Sequence, residues 1–112
     1  MRISQGTEKI TPWGHEMTVF THFLPETQIS RYGSWLKTLD PQTLRNYFGI
    51  SLSAEGINRL IRKFKQDKVN HHFLIAHHDG RWAGVIHIAC LDDAVEFGVI
   101  VKKEFRRRGI AD

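Results

Sequence analysis

A single cysteine, Cys90, is all the thiol chemistry this 112-residue chain carries. It can close no intramolecular disulfide, and a reducing compartment fits. Cys90 lies in an apolar run and reads as a small buried hydrophobe, with no defined base and orienter to make it a nucleophile. No apolar run approaches the ~18 residues of a membrane span. The N-terminus, MRISQGTEKITPWGHEM, lacks the apolar stretch of roughly 7–15 residues that a secretory signal needs. Internal repeats and low-complexity segments are missing too. The expected location is therefore the cytoplasm, with no membrane partner.

What is present is ordinary for a globular domain: 41% apolar and 25% charged residues, enough for one domain with a modest core. The formal charge of +4 favours anionic partners, such as a phosphorylated cofactor, a nucleic acid or an acidic surface, without choosing among them.

Residues 1–15 are polar, contain Pro12 and Gly14, and read as an N-terminal arm or edge segment; residues 16–112 read as the domain. Residues 17–24 are rich in β-branched and aromatic types and form the first strand candidate, ended by Pro25. Ile29, Tyr32, Leu36 and Leu39 then recur at helical steps. Asp40 and Pro41 fit the N-cap and first position of a second helix that Gly49 caps. Ser53 opens a third helix with Ile57, Leu60, Ile61 and Phe64 as its buried stripe. The basic residues Arg59, Arg62, Lys63 and Lys65 on that helix read as a solvated outer face. From His71 the period becomes two. Residues 71–78, 82–91 and 94–101, joined at Asp79-Gly80 and Asp92-Asp93, predict an antiparallel three-stranded meander.

Five histidines, His71, His72, His77, His78 and His87, fall in that meander. Six strand residues span about 20 Å, too far for one metal. His87 could add a second ligand across strands but not an obvious third, and no zinc-finger spacing exists. No metal is expected.

The chemistry concentrates in residues 95–111, VEFGVIVKKEFRRRGIA. A β-branched run, Val99, Ile100 and Val101, leads through a charged connector into Arg106, Arg107, Arg108, Gly109, Ile110 and Ala111. This reads as a basic, glycine-containing loop opening a helix. Such a loop points successive N–H groups at one phosphate, and glycine lets the ligand approach the backbone. Glu96 shares a strand face with Gly98 and Ile100, opposite Val95, Phe97, Val99 and Val101. A carboxylate on so apolar a strand is an acid–base candidate; the alternative is a surface group paired with an Arg or His. The basic run could also face nucleic acid. It has no stacking aromatics beyond Phe105 and no reader motif, so none is expected.

Arg106-x-x-Gly109-x-Ala111, directly after Val99, Ile100 and Val101, resembles motif A of the GNAT superfamily of acyl-CoA-dependent N-acetyltransferases. That motif is Gln/Arg-x-x-Gly-x-Gly/Ala after a strand of alternating aliphatics. The order of strand, helices, meander, motif loop and helix is similar as well. Residues 14–49, with Leu39-Asp40-Pro41-Gln42-Thr43 and Tyr47-Phe48, resemble the opening of the GNAT domain in Pat-type protein lysine acetyltransferases, as does Val95-Glu96-Phe97-Gly98-Val99.

The resemblance implies an α+β chain of GNAT type: an N-terminal strand, two to three helices and an antiparallel meander, truncated at the start of the helix after the motif. It implies acetyl transfer from acetyl-CoA, as co-substrate and without a metal, to a primary amine on a protein lysine or small molecule. CoA phosphates would sit on the N–H groups of Arg107, Arg108, Gly109, Ile110 and Ala111, with arginine charge nearby, so that residues 106–111 form the pyrophosphate loop. The main chain of Val99, Ile100 and Val101 would pair with pantetheine, and Glu96 would serve the amine. The family's later strands and helices do not follow, so the chain is expected to be an incomplete domain, and to bind acetyl-CoA weakly or not at all by itself. A catalytically silent GNAT-like binding module is the alternative. The last strand would keep an unpaired flank, and homodimerisation, strand exchange or covering by the N-terminal arm is expected there.

Overall fold

The computed structural model of the chain describes the backbone of residues 6–10 and 17–108 and the side chains of residues 19–106. Strand β1 (Gly6–Ile10) precedes β2 (Met17–Phe23), which Pro25 closes. A short 3-10 turn, Glu26–Gln28, leads to α1 (Ile29–Leu36), α2 (Pro41–Phe48) and α3 (Ala54–Gln66). The meander follows as β3 (His71–His78), β4 (Arg81–Cys90) and β5 (Val95–Val101). All five strands form one sheet in the order β1-β2-β3-β4-β5, each pair antiparallel. The expected α+β architecture is present.

Local chemistry fixes the boundaries. The Asp40 carboxylate accepts the Thr43 N–H at 3.1 Å, Pro41 begins α2, and Gly49 ends it at φ 76°, donating to the Arg45 carbonyl. Ser53 caps α3 by accepting the Gly56 N–H at 3.1 Å. The first helix stops at Leu36 rather than running to Leu39, because Thr38 and Leu39 donate back to Trp35 and Leu36 in tight i→i−3 turns. Leu39 is buried all the same. Asp79 and Gly80 both have positive φ, the conformation a two-residue hairpin turn demands.

The helices cover one face of the sheet. Ile29, Tyr32, Leu36, Ile57, Ile61 and Phe64 pack on Phe73, Ile75, Val85 and Ile100. Tyr32 and Phe73 are in ring contact at 4.5 Å. At Gly33 helices α1 and α3 come so close that a Cβ would lie 2.6 Å from Ile61 Cγ1.

The β3–β4 pairing shifts at Ala76/His77, leaving Ala83 as an extra residue in β4. The bulge puts Trp82 on the helix side, where it meets Trp35. Ala83 joins Val19, Val101 and Phe105 in a small cluster of its own. Elsewhere Phe23, Val95, Phe97 and Val99 are exposed. Among the described residues β5 pairs only with β4 and is therefore the sheet's second edge. Its expected covering by the N-terminal arm is not what is seen: Gly6–Ile10 pairs with β2, at the opposite edge. Among the described residues no helix is long and apolar enough to cross a membrane.

Candidate functional site

Strand β5 collects the residues that carried the sequence argument. Glu96 lies across from Ala89, Gly98 from His87, and Ile100 from Val85, all on the helix side. The Lys102 N–H donates across the pair to Ala83 O at 2.8 Å. Because backbone direction alternates along an antiparallel strand, Val99 and Val101 then face the open edge with their N–H and C=O groups. Glu96 is exposed on the edge strand and makes no hydrogen bond or ion pair among the described residues.

Two groups on the helix side, Tyr47 and His87, carry no role in acyl transfer in the sequence reading. Tyr47, near the end of α2, lays its hydroxyl directly over Gly98; a Cβ there would overlap Tyr47 Oη and sit 2.8 Å from Cζ. Only glycine leaves that space. Burial pushes the Tyr47 phenol above its ordinary range, so it stays protonated at neutral pH. His87, opposite Gly98, hydrogen-bonds His71 ring to ring, Nε2 to Nδ1, at 2.9 Å. His71 Nε2 lies 3.4 Å from the Asp67 carboxylate. Burial, then the neighbouring His71, lowers the His87 pKa to about 4. A matching pair, His77 and His22, meets at 2.7 Å, and burial lowers His77 as well. Each pair supplies two nitrogens, and no group of three or more metal-ligating side chains forms among the described residues.

Beyond β5 the chain winds into a 3-10 segment, Lys103–Arg108, where an open connector was expected. Phe105 is buried beneath it and anchors it to the sheet. Arg106 turns inward: Nε donates to Val101 O at 3.1 Å, and Nη2 donates to Thr43 Oγ1 at 2.6 Å. A groove of about 480 Å³ lies beside this segment, lined by Thr38, Leu39, Asp40, Lys102, Lys103 and Glu104. For Arg107 and Arg108 the backbone alone is described. Gly109, Ile110, Ala111 and the expected helix start lie outside the described residues.

The sequence profile of the Acetyltransferase (GNAT) family matches residues 34–112, more than half of the chain. The chain belongs to the GNAT family. Its fold is similar to the crystal structure of a possible acetyltransferase from Clostridium difficile 630, with a TM-score of 0.58 at 12% sequence identity. That similarity takes in 82% of this chain and 62% of the other, so this GNAT chain spans less than two thirds of that protein's length. No curated protein matches it.

The GNAT profile includes α2, β5 and the motif that follows. The structure brings Glu96, Val99, Ile100, Val101 and Arg106 into one continuous strand-and-turn unit. Tyr47 enters the sequence reading only within the Tyr47-Phe48 resemblance, and nothing there points to its contact with Gly98. His87 reads from sequence as a possible cross-strand partner of the meander histidines, and the strand pairing brings it to His71.

Proposed function

We propose that this GNAT chain carries the acyl-CoA half of an N-acetyltransferase site that moves an acetyl group from acetyl-CoA to a primary amine, on a protein lysine or a small molecule. The observation that carries the reading is the open edge of β5, which leaves the N–H and C=O of Val99 and the N–H of Val101 facing outward just before the motif segment, while Val101 O accepts from Arg106. An added chain of amides pairs with such an edge as another strand would. The pyrophosphate takes the backbone N–H groups of residues 107–111. The amine lone pair attacks the thioester carbonyl, an outward N–H of β5 steadies the oxyanion, and the C–S bond breaks to release the thiolate. An amine must be neutral to attack, whereas a free lysine has a pKa near ~10.4. Glu96, exposed on the helix side of the same strand, takes the proton directly or through water. Tyr47, held protonated over Gly98, offers a hydroxyl between the strand and the amine. The open edge also favours self-association through β5.

Acetyl-CoA turnover by the full-length protein against a panel of amines tests the reading. Glu96→Gln is expected to lower turnover and steepen its pH dependence. Rates that stay at the parent level from about pH 6 to 9 would reject the base role.

A further inference from the structure

The geometry points to Arg106 as a positioning residue, which clasps the end of β5 to the start of α2 and so sets the phosphate loop, instead of reaching the phosphates with its own side chain. The consequence for coenzyme A rests on the function proposed above; the clasp does not. Arg106 Nε donates to Val101 O at 3.1 Å, and Nη2 donates to Thr43 Oγ1 at 2.6 Å. Thr43 Oγ1 donates in turn to Asp40 Oδ1 at 2.6 Å, and Asp40 Oδ2 accepts the Thr43 N–H at 3.1 Å. A hydroxyl has one proton to give, and Thr43 gives it to Asp40, leaving its lone pairs for the guanidinium.

Thr43 is 3% exposed, so water cannot readily replace the guanidinium on its hydroxyl oxygen. The planar guanidinium commits two directed N–H groups to this contact, which fixes the orientation of its plane. Residues 107 and 108 continue the 3-10 segment directly from Arg106, so the anchor at 106 sets where their N–H groups point. Helix α2 therefore meets the strand-and-motif unit at both ends, Thr43 on Arg106 and Tyr47 on Gly98. The cofactor end and the amine end share one rigid support.

A double-mutant cycle on Arg106→Ala and Thr43→Val tests the clasp, with Arg106→Gln and Thr43→Ser retaining the donor and the hydroxyl. Urea unfolding without ligand reads the link itself; calorimetry with coenzyme A on the full-length protein reads its consequence. The expected coupling is about tenfold in the folding equilibrium. Coenzyme A affinity is expected to fall roughly five- to tenfold in either single variant and little further in the double, with most of it restored in the Gln and Ser variants. Additive unfolding effects would overturn the clasp. So would a Thr43→Val protein that binds coenzyme A like the parent while Arg106→Ala binds it poorly, since Arg106 would then be a direct phosphate ligand. If the parent protein binds no coenzyme A, the acetyltransferase reading fails. The unfolding cycle still decides the clasp, supported by coupling and overturned by its absence.

Discussion

Acid should loosen this fold through His87. The ring is half-buried between aromatic neighbours: Phe73 stacks on it at 4.8 Å, Phe64 meets it edge-on at 4.9 Å, and His71 shares its hydrogen bond. A second proton on the pair would put two positive rings 2.9 Å apart. The His87 pKa is lowered from 6.5 to about 4, so between those pH values the unfolded chain binds a proton that the folded chain refuses. The stability from the neutral ring is full above pH 6.5 and is lost as the pH falls through that window. At ~1.4 kcal/mol per unit the ceiling is about 3 kcal/mol. The ring is only partly buried, and solvent screening reduces this to about 1–2 kcal/mol. Urea unfolding followed by tryptophan fluorescence across the window measures the loss. His87→Phe, which keeps the aromatic stack and cannot titrate, should flatten the pH dependence by that amount. An unchanged slope in the variant, or an imidazole resonance of His87 titrating near 6.5, would refute the reasoning.

Other substitutions probe other parts of the structure. Gly33→Ala drives a Cβ to 2.6 Å from Ile61 Cγ1 and should destabilise the chain by about 1–3 kcal/mol in thermal unfolding; no loss would mean that the Ile61 side chain moves aside freely. Gly98→Ala collides with Tyr47, at the end of a side chain that can swing, so a cost near 1 kcal/mol is expected, relieved by Tyr47→Ala. A cost that persists in the double variant would move its cause to the strand backbone. Ser53→Ala removes the cap on Gly56 N–H and should cost about 1 kcal/mol; no loss would mean that water caps α3 equally well. Sedimentation should show self-association that weakens when Phe97, 69% exposed on the edge strand, becomes Lys.

Local signals in the sequence were legible because a single residue decides each of them. Asp40 before Pro41, Ser53, Gly49 and the Asp79-Gly80 turn announce helix ends and a hairpin by their own conformational chemistry. The period-two runs gave the meander with its strand order. Long-range geometry was less visible. The extra residue at Ala83 changes which side Trp82 faces, and a bulge leaves no mark in an alternation of apolar residues. Residues 1–15 read as an arm or edge segment, and Gly6–Ile10 is an edge strand, polar because one neighbour's backbone bonds can hold it. The histidines looked scattered along the meander, yet strand pairing brings His71 to His87 and His77 to His22 as diagonal neighbours. Arg106 read as a loose cation beside a phosphate, while the fold brings Thr43, 63 residues away in sequence, up to its guanidinium.

The most direct test is an amide NMR titration of the chain with coenzyme A, which registers even millimolar binding. If β5 is a pantetheine edge and the motif a phosphate loop, the amides of Val99 and Val101 and those of residues 107–111 shift first and together, and desulfo-coenzyme A shifts them as well. Shifts confined to the basic groove of Lys37, Arg62 and Lys65 between α1 and α3, or no shifts at millimolar ligand, would contradict an acyl-CoA site on this strand.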